Sequence, residues 1–179
     1  SSDLLGLAAP PIHAQAEVRP RYEIHATVDL VTASVEVKQG TTFTNWTGRP
    51  LSSVVFRLPP AEVGQVADLD VSVPNQAGTA SFERAIIEVP LEPPLPPGST
   101  TRVSINYNVS VPRQSGRLGL TSQSIMLGNW FATLGVHRGD WDRRPYTDVG
   151  DAFFTEVADF QLEIDTVQPM ELAFTGTLR

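Results

Sequence analysis

Arg21-Tyr22-Glu23-Ile24-His25-Ala26-Thr27-Val28-Asp29-Leu30 is the stretch that decides the fold. Tyr22, Ile24, Ala26, Val28 and Leu30 alternate with Glu23, His25, Thr27 and Asp29. A period of two belongs to a strand with one face in a core and one in water. The same signal returns in Ala67–Val73, through Leu69 and Val71, and in Thr101–Val111, through Val103, Ile105, Tyr107 and Val109.

Further strands are expected between these anchors. Val35 and Val37 open one, and Gln39-Gly40 reads as a kink or turn before Thr41–Thr47. Leu51–Leu58 is an apolar strand stopped by Pro59-Pro60, which cannot continue a ladder. Phe82–Val89, Ser122–Phe131, Glu156–Val167 and Leu172–Leu178 complete the set. Pro90 to Gly98 carries five prolines and is expected as an extended connector. No run of ten residues has a 3.6 period. The expectation is therefore all-β: an antiparallel sandwich of about ten strands, with at most one helical turn. One long loop, Gly135–Asp151, is charged and aromatic, and long ordered loops often carry function. Residues 1–20 lack periodicity and read as a linker; residues 21–179 are expected to form one domain.

Composition narrows the function. The formal net charge is −7, and Lys38 is the single lysine among thirteen basic residues. No basic patch suited to nucleic acid is visible. There is no cysteine, which excludes disulfides, thiol catalysis and Cys-ligated zinc. No apolar run reaches the roughly 18 residues of a membrane span. The character of residues 1–20 suggests an export signal or lipid anchor upstream, placing the protein outside the cytoplasm.

Candidate chemistry is sparse. His13, His25 and His137 have neither the i, i+4 spacing nor the adjacent Glu of a zinc helix, so a protein-only metal site is not expected. Asp140, Asp142, Asp148 and Asp151 are interleaved with Arg138, Arg143 and Arg144. Asp–Arg pairing within the loop is the simple reading, with a cation site or carboxylate acid–base work as alternatives. Asn45-Trp46-Thr47 and Asn108-Val109-Ser110 fit the glycosylation sequon and are read as chance. The late aromatics, including Trp130, Phe131, Trp141, Tyr146, Phe153, Phe154 and Phe160, suit a core or a carbohydrate platform.

A family resemblance runs from Arg21 to Leu178. Tyr22–Leu30 resembles the first strand of the N-terminal domain of the aminopeptidase N family of zinc metallopeptidases, the gluzincins. Val37–Thr47 is similar to that domain's second hairpin, and Val55-Phe56-Arg57-Leu58-Pro59 to its Phe-x-Leu-Pro strand end. Leu95-Pro96-Pro97-Gly98 looks like its Leu-x-x-Gly connector. Trp130-Phe131-Ala132 stands where many bacterial members have Trp-Tyr-Pro, with Ala132 departing from the pattern. Gly150–Phe160 and Ala173-Phe174-Thr175-Gly176 are the best matches.

The resemblance implies a saddle-shaped β-sandwich that caps a catalytic domain of the same polypeptide. That domain would carry His-Glu-x-x-His, a distant Glu and Gly-x-Met-Glu-Asn. None of these motifs occurs here, and Met170-Glu171 is followed by Leu172. The resemblance therefore implies no cofactor in this chain and zinc in the missing catalytic domain. The parent would be a zinc metalloaminopeptidase or an inactive relative. It further implies that Gln123, counted back from Trp130, receives the free α-amino group of a peptide substrate. The alternative function is a stand-alone β-sandwich that binds carbohydrate or protein through the Gly135–Asp151 loop.

Overall fold

The computed structural model describes residues 19–63, 65–76, 78–144 and 154–178. The chain is an all-β sandwich of two packed sheets, with a small separate hairpin packed against the core. β1 (Arg21–Asp29), β2 (Ser34–Thr44), β4 (Val66–Ser72), β7 (Thr100–Ser110) and β11 (Asp159–Thr166) form the first sheet, in the order β11-β1-β2-β7-β4. β3 (Leu51–Arg57), β5 (Ser81–Glu83), β6 (Ile86–Leu95) and β10 (Thr133–Leu134) form the second, in the order β10-β3-β6-β5. β8 (Leu118–Leu120) and β9 (Ile125–Leu127) make the hairpin. A 3-10 turn at Pro59–Val63 is the single helical element among the described residues. All pairs are antiparallel except β1 with β11.

The period-two pattern explains the core. Tyr22, Ile24, Ala26 and Val28 of β1 lie beside Val35 and Val37 of β2 and Val103, Ile105, Tyr107 and Val109 of β7, all buried. Val54, Phe56, Ile87, Val89 and Leu91 of the second sheet are buried too. Each fully buried side chain of this size contributes about 1.5–3 kcal/mol through apolar burial.

Several expectations are corrected. Gln39-Gly40 is no turn: β2 runs unbroken through it. Gly40 is needed because the Arg102 guanidinium lies where its Cβ would be, on the way to the Glu23 carboxylate. This pairing holds the Glu23 carboxyl below its usual pKa. The proline-rich connector is largely strand, since β6 extends to Leu95. β5 covers β6 only over Ile86–Glu88. Beyond Glu88 no strand among the described residues pairs with that side of β6, so prolines cost no ladder bond there; Gln76 Oε1 accepts the Glu92 N–H and Gly78 lies against Pro90.

Phe82–Val89 is a hairpin, turned by Arg84 and Ala85 at φ 45° and 63°. Ser122–Phe131 is not one strand: Thr121–Ser124 is a turn, and Asn129, at φ 53°, ends β9. Leu172–Leu178 pairs with no strand among the described residues, and alternation without a ladder partner makes none. The linker expected over residues 1–20 lies outside the described residues except for Arg19 and Pro20. Pro20 is buried, and its carbonyl accepts the Asp159 N–H at 2.9 Å.

Candidate functional site

Three buried polar side chains on the inner face of the first sheet converge on one segment of the second. Gln39 sits on the apolar side of β2, between Val37 and Thr41. Its Nε2 donates to the Ala132 carbonyl at 2.7 Å and to Thr41 Oγ1 at 3.0 Å. Its Oε1 accepts the Ala132 N–H at 3.1 Å. Tyr107 Oη also accepts that N–H, at 3.2 Å, and donates to the Trp130 carbonyl at 3.3 Å. Tyr22 Oη accepts the Leu134 N–H at 2.8 Å. Burial pushes the Tyr22 phenol up to about 12 and raises the Tyr107 phenol as well. Both phenols therefore stay neutral and can act as paired hydroxyls.

Trp130–Leu134 is therefore held from both sides, since Thr133 and Leu134 pair with Arg57 and Phe56 of β3. The resemblance placed proline at Ala132; here that residue supplies an N–H with two acceptors, which proline would lack. Sequence reading missed Gln39 because Gly40 made it look like a turn. Its place in the run Val35, Val37, Gln39, Thr41, Phe43 was the signal: a polar residue on an apolar face needs partners.

Gln123 lies exposed in the turn between β8 and β9, not within a strand. Its backbone N–H reaches Thr121 Oγ1 at 3.3 Å. The hairpin that carries it belongs to neither large sheet. Gly119 and Gly128 let the hairpin lie close to the preceding chain, against the carbonyls of Gln114 and Arg117.

The first half of the long loop is folded onto the outer face of the second sheet. The Gly135 N–H donates to the Val55 carbonyl, and the Asp142 N–H to the Val136 carbonyl, each at 2.8 Å. His137 and Trp141 bridge, with rings 5.0 Å apart. Trp141 is buried, and its Nε1 donates to the Ser53 carbonyl at 2.9 Å. This cover explains why Val54, Val55 and Phe56 are all buried although they point to alternate faces.

Two of the loop's three arginines pair with carboxylates, as the simple reading expected, while Arg138 stands over the Phe154 ring at 4.8 Å. Arg143 bridges Asp140 at 3.1 Å and Glu88 at 2.8 Å, and Arg144 bridges Asp142 at 2.7 Å. Hydrogen bonds from Arg144 hold the Asp142 carboxyl down at about 2. Tyr146, Asp148, Asp151 and Phe153 lie outside the described residues.

Metal-binding groups do not converge. His25 Nε2 lies 2.8 Å from Asp165 Oδ2 on the exposed face, and His13 is outside the described residues. No three His, Asp or Glu side chains among the described residues are placed to share a metal ion. The sequon at Asn45 is structural: Asn45 is buried, donates to the Arg49 and Leu95 carbonyls at 2.7 and 2.8 Å, and accepts from Thr47. No helix of the described residues is long and apolar enough to cross a membrane.

One further surface stands out. Eight of the twelve large hydrophobic side chains exposed among the described residues lie between Phe154 and Leu178. On β11, Phe160 and Leu162 are in register with Tyr22 and Ile24 and share their inward face, yet they are 55% and 46% exposed. β11 is an edge strand: Phe160 stacks on Tyr22 at 4.7 Å and meets Phe131 at 5.5 Å, and the rest of its inward face overhangs what the described residues cover.

No protein-family model matches the chain, and no curated protein does. Among solved structures it is similar to the M1 zinc metallopeptidase from Deinococcus radiodurans, at 21% identity and a TM-score of 0.43. That match covers 62% of this chain and 24% of the other. A mutant of that enzyme matches at 23% identity and a TM-score of 0.42, over 53% of this chain and 20% of the other. The third cohesin of ScaC from Acetivibrio cellulolyticus, in complex with the ScaB dockerin, matches at 15% identity and a TM-score of 0.35. It covers 82% of this chain and 99% of that one. The chain thus spans about a quarter or less of the metallopeptidase chains it matches.

Proposed function

We propose that this chain is the non-catalytic N-terminal domain of a zinc aminopeptidase-like protein. It packs on a catalytic domain of the same polypeptide and forms one wall of the peptide-binding cleft. The observation that carries the reading is the overhanging apolar face of β11, with Val157, Leu172 and Phe174 exposed in the flanking segments. An apolar surface of this extent marks an interaction site. The ordered resemblance from Arg21 to Leu178 supplies the identity of the partner.

The division of labour follows from chemistry. In this reading the metal and the hydrolytic step belong to the catalytic domain. What this chain offers the substrate is the β8–β9 hairpin, with Gln123 exposed in its turn. A glutamine carbonyl there would accept hydrogen bonds from the substrate's ammonium group. Trp130–Leu134, locked by Gln39, Tyr22 and Tyr107, anchors the strand end behind that hairpin.

The test begins with the coding sequence downstream of Arg179. A continuing frame with Gly-x-Met-Glu-Asn and then His-Glu-x-x-His supports the reading. A frame that continues without either motif contradicts it. In the full-length enzyme, Gln123→Ala should raise KM for peptides with a free amino terminus. It should leave N-acetylated peptides no worse than before. Equal kinetics for the variant and the parent would remove Gln123 from the role.

A further inference from the structure

A second surface, built from different residues, has the form of a ligand site. Trp46, Thr47, Arg49, Ser52, His137 and Asp140 stand around a cleft of about 610 Å³, with buried Trp141 behind them. That volume lies within the roughly 300–1,000 Å³ of small-ligand sites. Both walls are tied to the sandwich by hydrogen bonds. Asn45 fixes the turn that carries Trp46, through hydrogen bonds to the Arg49 and Leu95 carbonyls. The opposite wall is the His137–Trp141 turn, anchored by Trp141 Nε1 on Ser53.

The indole of Trp46 meets Phe43 and Trp141 through T-shaped contacts, each at 6.3 Å. It is nonetheless 44% exposed, so ring surface is left open to the cleft. Polar capacity is unspent around it. The Arg49 guanidinium, the Trp46 indole N–H and the His137 ring make no hydrogen bond among the described residues. Asp140 Oδ1 is used by the Trp141 N–H and by Arg143, which leaves Oδ2 as an acceptor.

We propose that this cleft binds a saccharide ring. The C–H face of a pyranose packs on the open indole surface of Trp46, which removes apolar area from water without a hydrocarbon ligand. Its hydroxyls both donate and accept, which matches a rim with one free carboxylate oxygen and several free donors. A purely apolar ligand would strand those donors. The inference does not rest on the docking reading above, because the cleft shares no residue with β11.

The experiment is a titration of the chain with cellotetraose, tetra-N-acetylchitotetraose and tetragalacturonic acid. The readout is the three tryptophan indole N–H signals in proton–nitrogen spectra. The expected result is a saturable shift of the Trp46 signal with at least one tetramer. Trp46→Ala should weaken that binding by roughly tenfold or more, as removal of a central aromatic contact does. Arg49→Gln, on an exposed side chain, should weaken it without affecting folding, and serves if the tryptophan variant does not fold. Leu162→Ser, on the docking face, should leave it unchanged. The proposal is overturned if no tetramer shifts Trp46 at concentrations up to about 10 mM, a dissociation constant ten times weaker than 1 mM. It is equally overturned if Arg49→Gln and Trp46→Ala both bind like the parent chain.

Discussion

Gln39 and Ala132 exchange two hydrogen bonds across the sandwich: Nε2 to the carbonyl at 2.7 Å, and N–H to Oε1 at 3.1 Å. One side chain of the first sheet thereby satisfies both backbone groups of a buried residue leading into the second. Gln39→Leu keeps the volume and removes both bonds, which leaves the Ala132 carbonyl unpaired. The expected loss is about 2–3 kcal/mol, seen as a lower urea midpoint with an unchanged slope. Tyr107→Phe should cost less, about 1–2 kcal/mol, because the Ala132 N–H keeps Gln39 and the Trp130 carbonyl loses only a long bond of 3.3 Å.

Ala132→Pro tests the same clamp from the other partner. Many sequences that this region resembles carry proline here, so similarity alone predicts tolerance. The geometry predicts loss, because proline removes the N–H that Gln39 Oε1 and Tyr107 Oη both accept. A midpoint equal to the parent's would contradict the clamp.

The hairpin turn at Arg84-Ala85 places two non-glycine residues in the left-handed region. Arg84 is exposed, and its one ion pair, with Glu83 at 4.0 Å, is weak. Arg84→Gly should therefore stabilise the domain by about 0.5–1 kcal/mol, raising the melting temperature. Destabilisation would mean that the turn differs from the one described.

Asp142 gives a pH prediction with a definite sign. Its folded pKa is depressed to about 2 by Arg144, against an ordinary value near 3.8. A depressed carboxyl contributes stability that is present above the unfolded value and lost as pH falls towards the folded one. The contribution should fade between about pH 4 and pH 2. It amounts to about 1 kcal/mol once screening at the exposed Arg144 is allowed for. Urea midpoints across that range should fall less steeply for Asp142→Asn than for the parent.

What was legible in the sequence follows from how many neighbours each element has. β1, β4 and β7 were plain because each has one apolar face and neighbours that follow the same period. β3 read as uniformly apolar for a reason sequence does not show: the Gly135–Trp141 turn covers its outer face. Gly40 suggested a break because the need for a bare Cα, under the Arg102 guanidinium, is a long-range contact. The prolines of β6 suggested a connector because an edge free of ladder bonds beyond Glu88 depends on where β5 stops.

The candidate sites were legible unevenly. Trp141 and its loop were singled out, whereas Trp46 was noticed only within a sequon and the Val37–Thr47 hairpin. The turn that lifts Trp46 to the cleft is made by Asn45, whose role depends on carbonyls at Arg49 and Leu95. Gln123 was expected on a strand because Ser122–Phe131 looks continuous; the turn that Thr121 and Ser124 close removes it, and only Ile125–Leu127 forms β9.

The central claim is that the overhanging face of β11 is a docking surface for a catalytic domain. Amide hydrogen exchange of residues 154–178, compared between this isolated chain and the full-length polypeptide, tests it most directly. The prediction is slower exchange in the full-length protein, together with return to the isolated rates when Leu162 and Val157 are replaced by serine. Those serine replacements should leave the isolated domain's urea midpoint within about 0.5 kcal/mol of the parent, since both side chains are already exposed. Identical exchange in the isolated chain and the full-length protein would contradict the account.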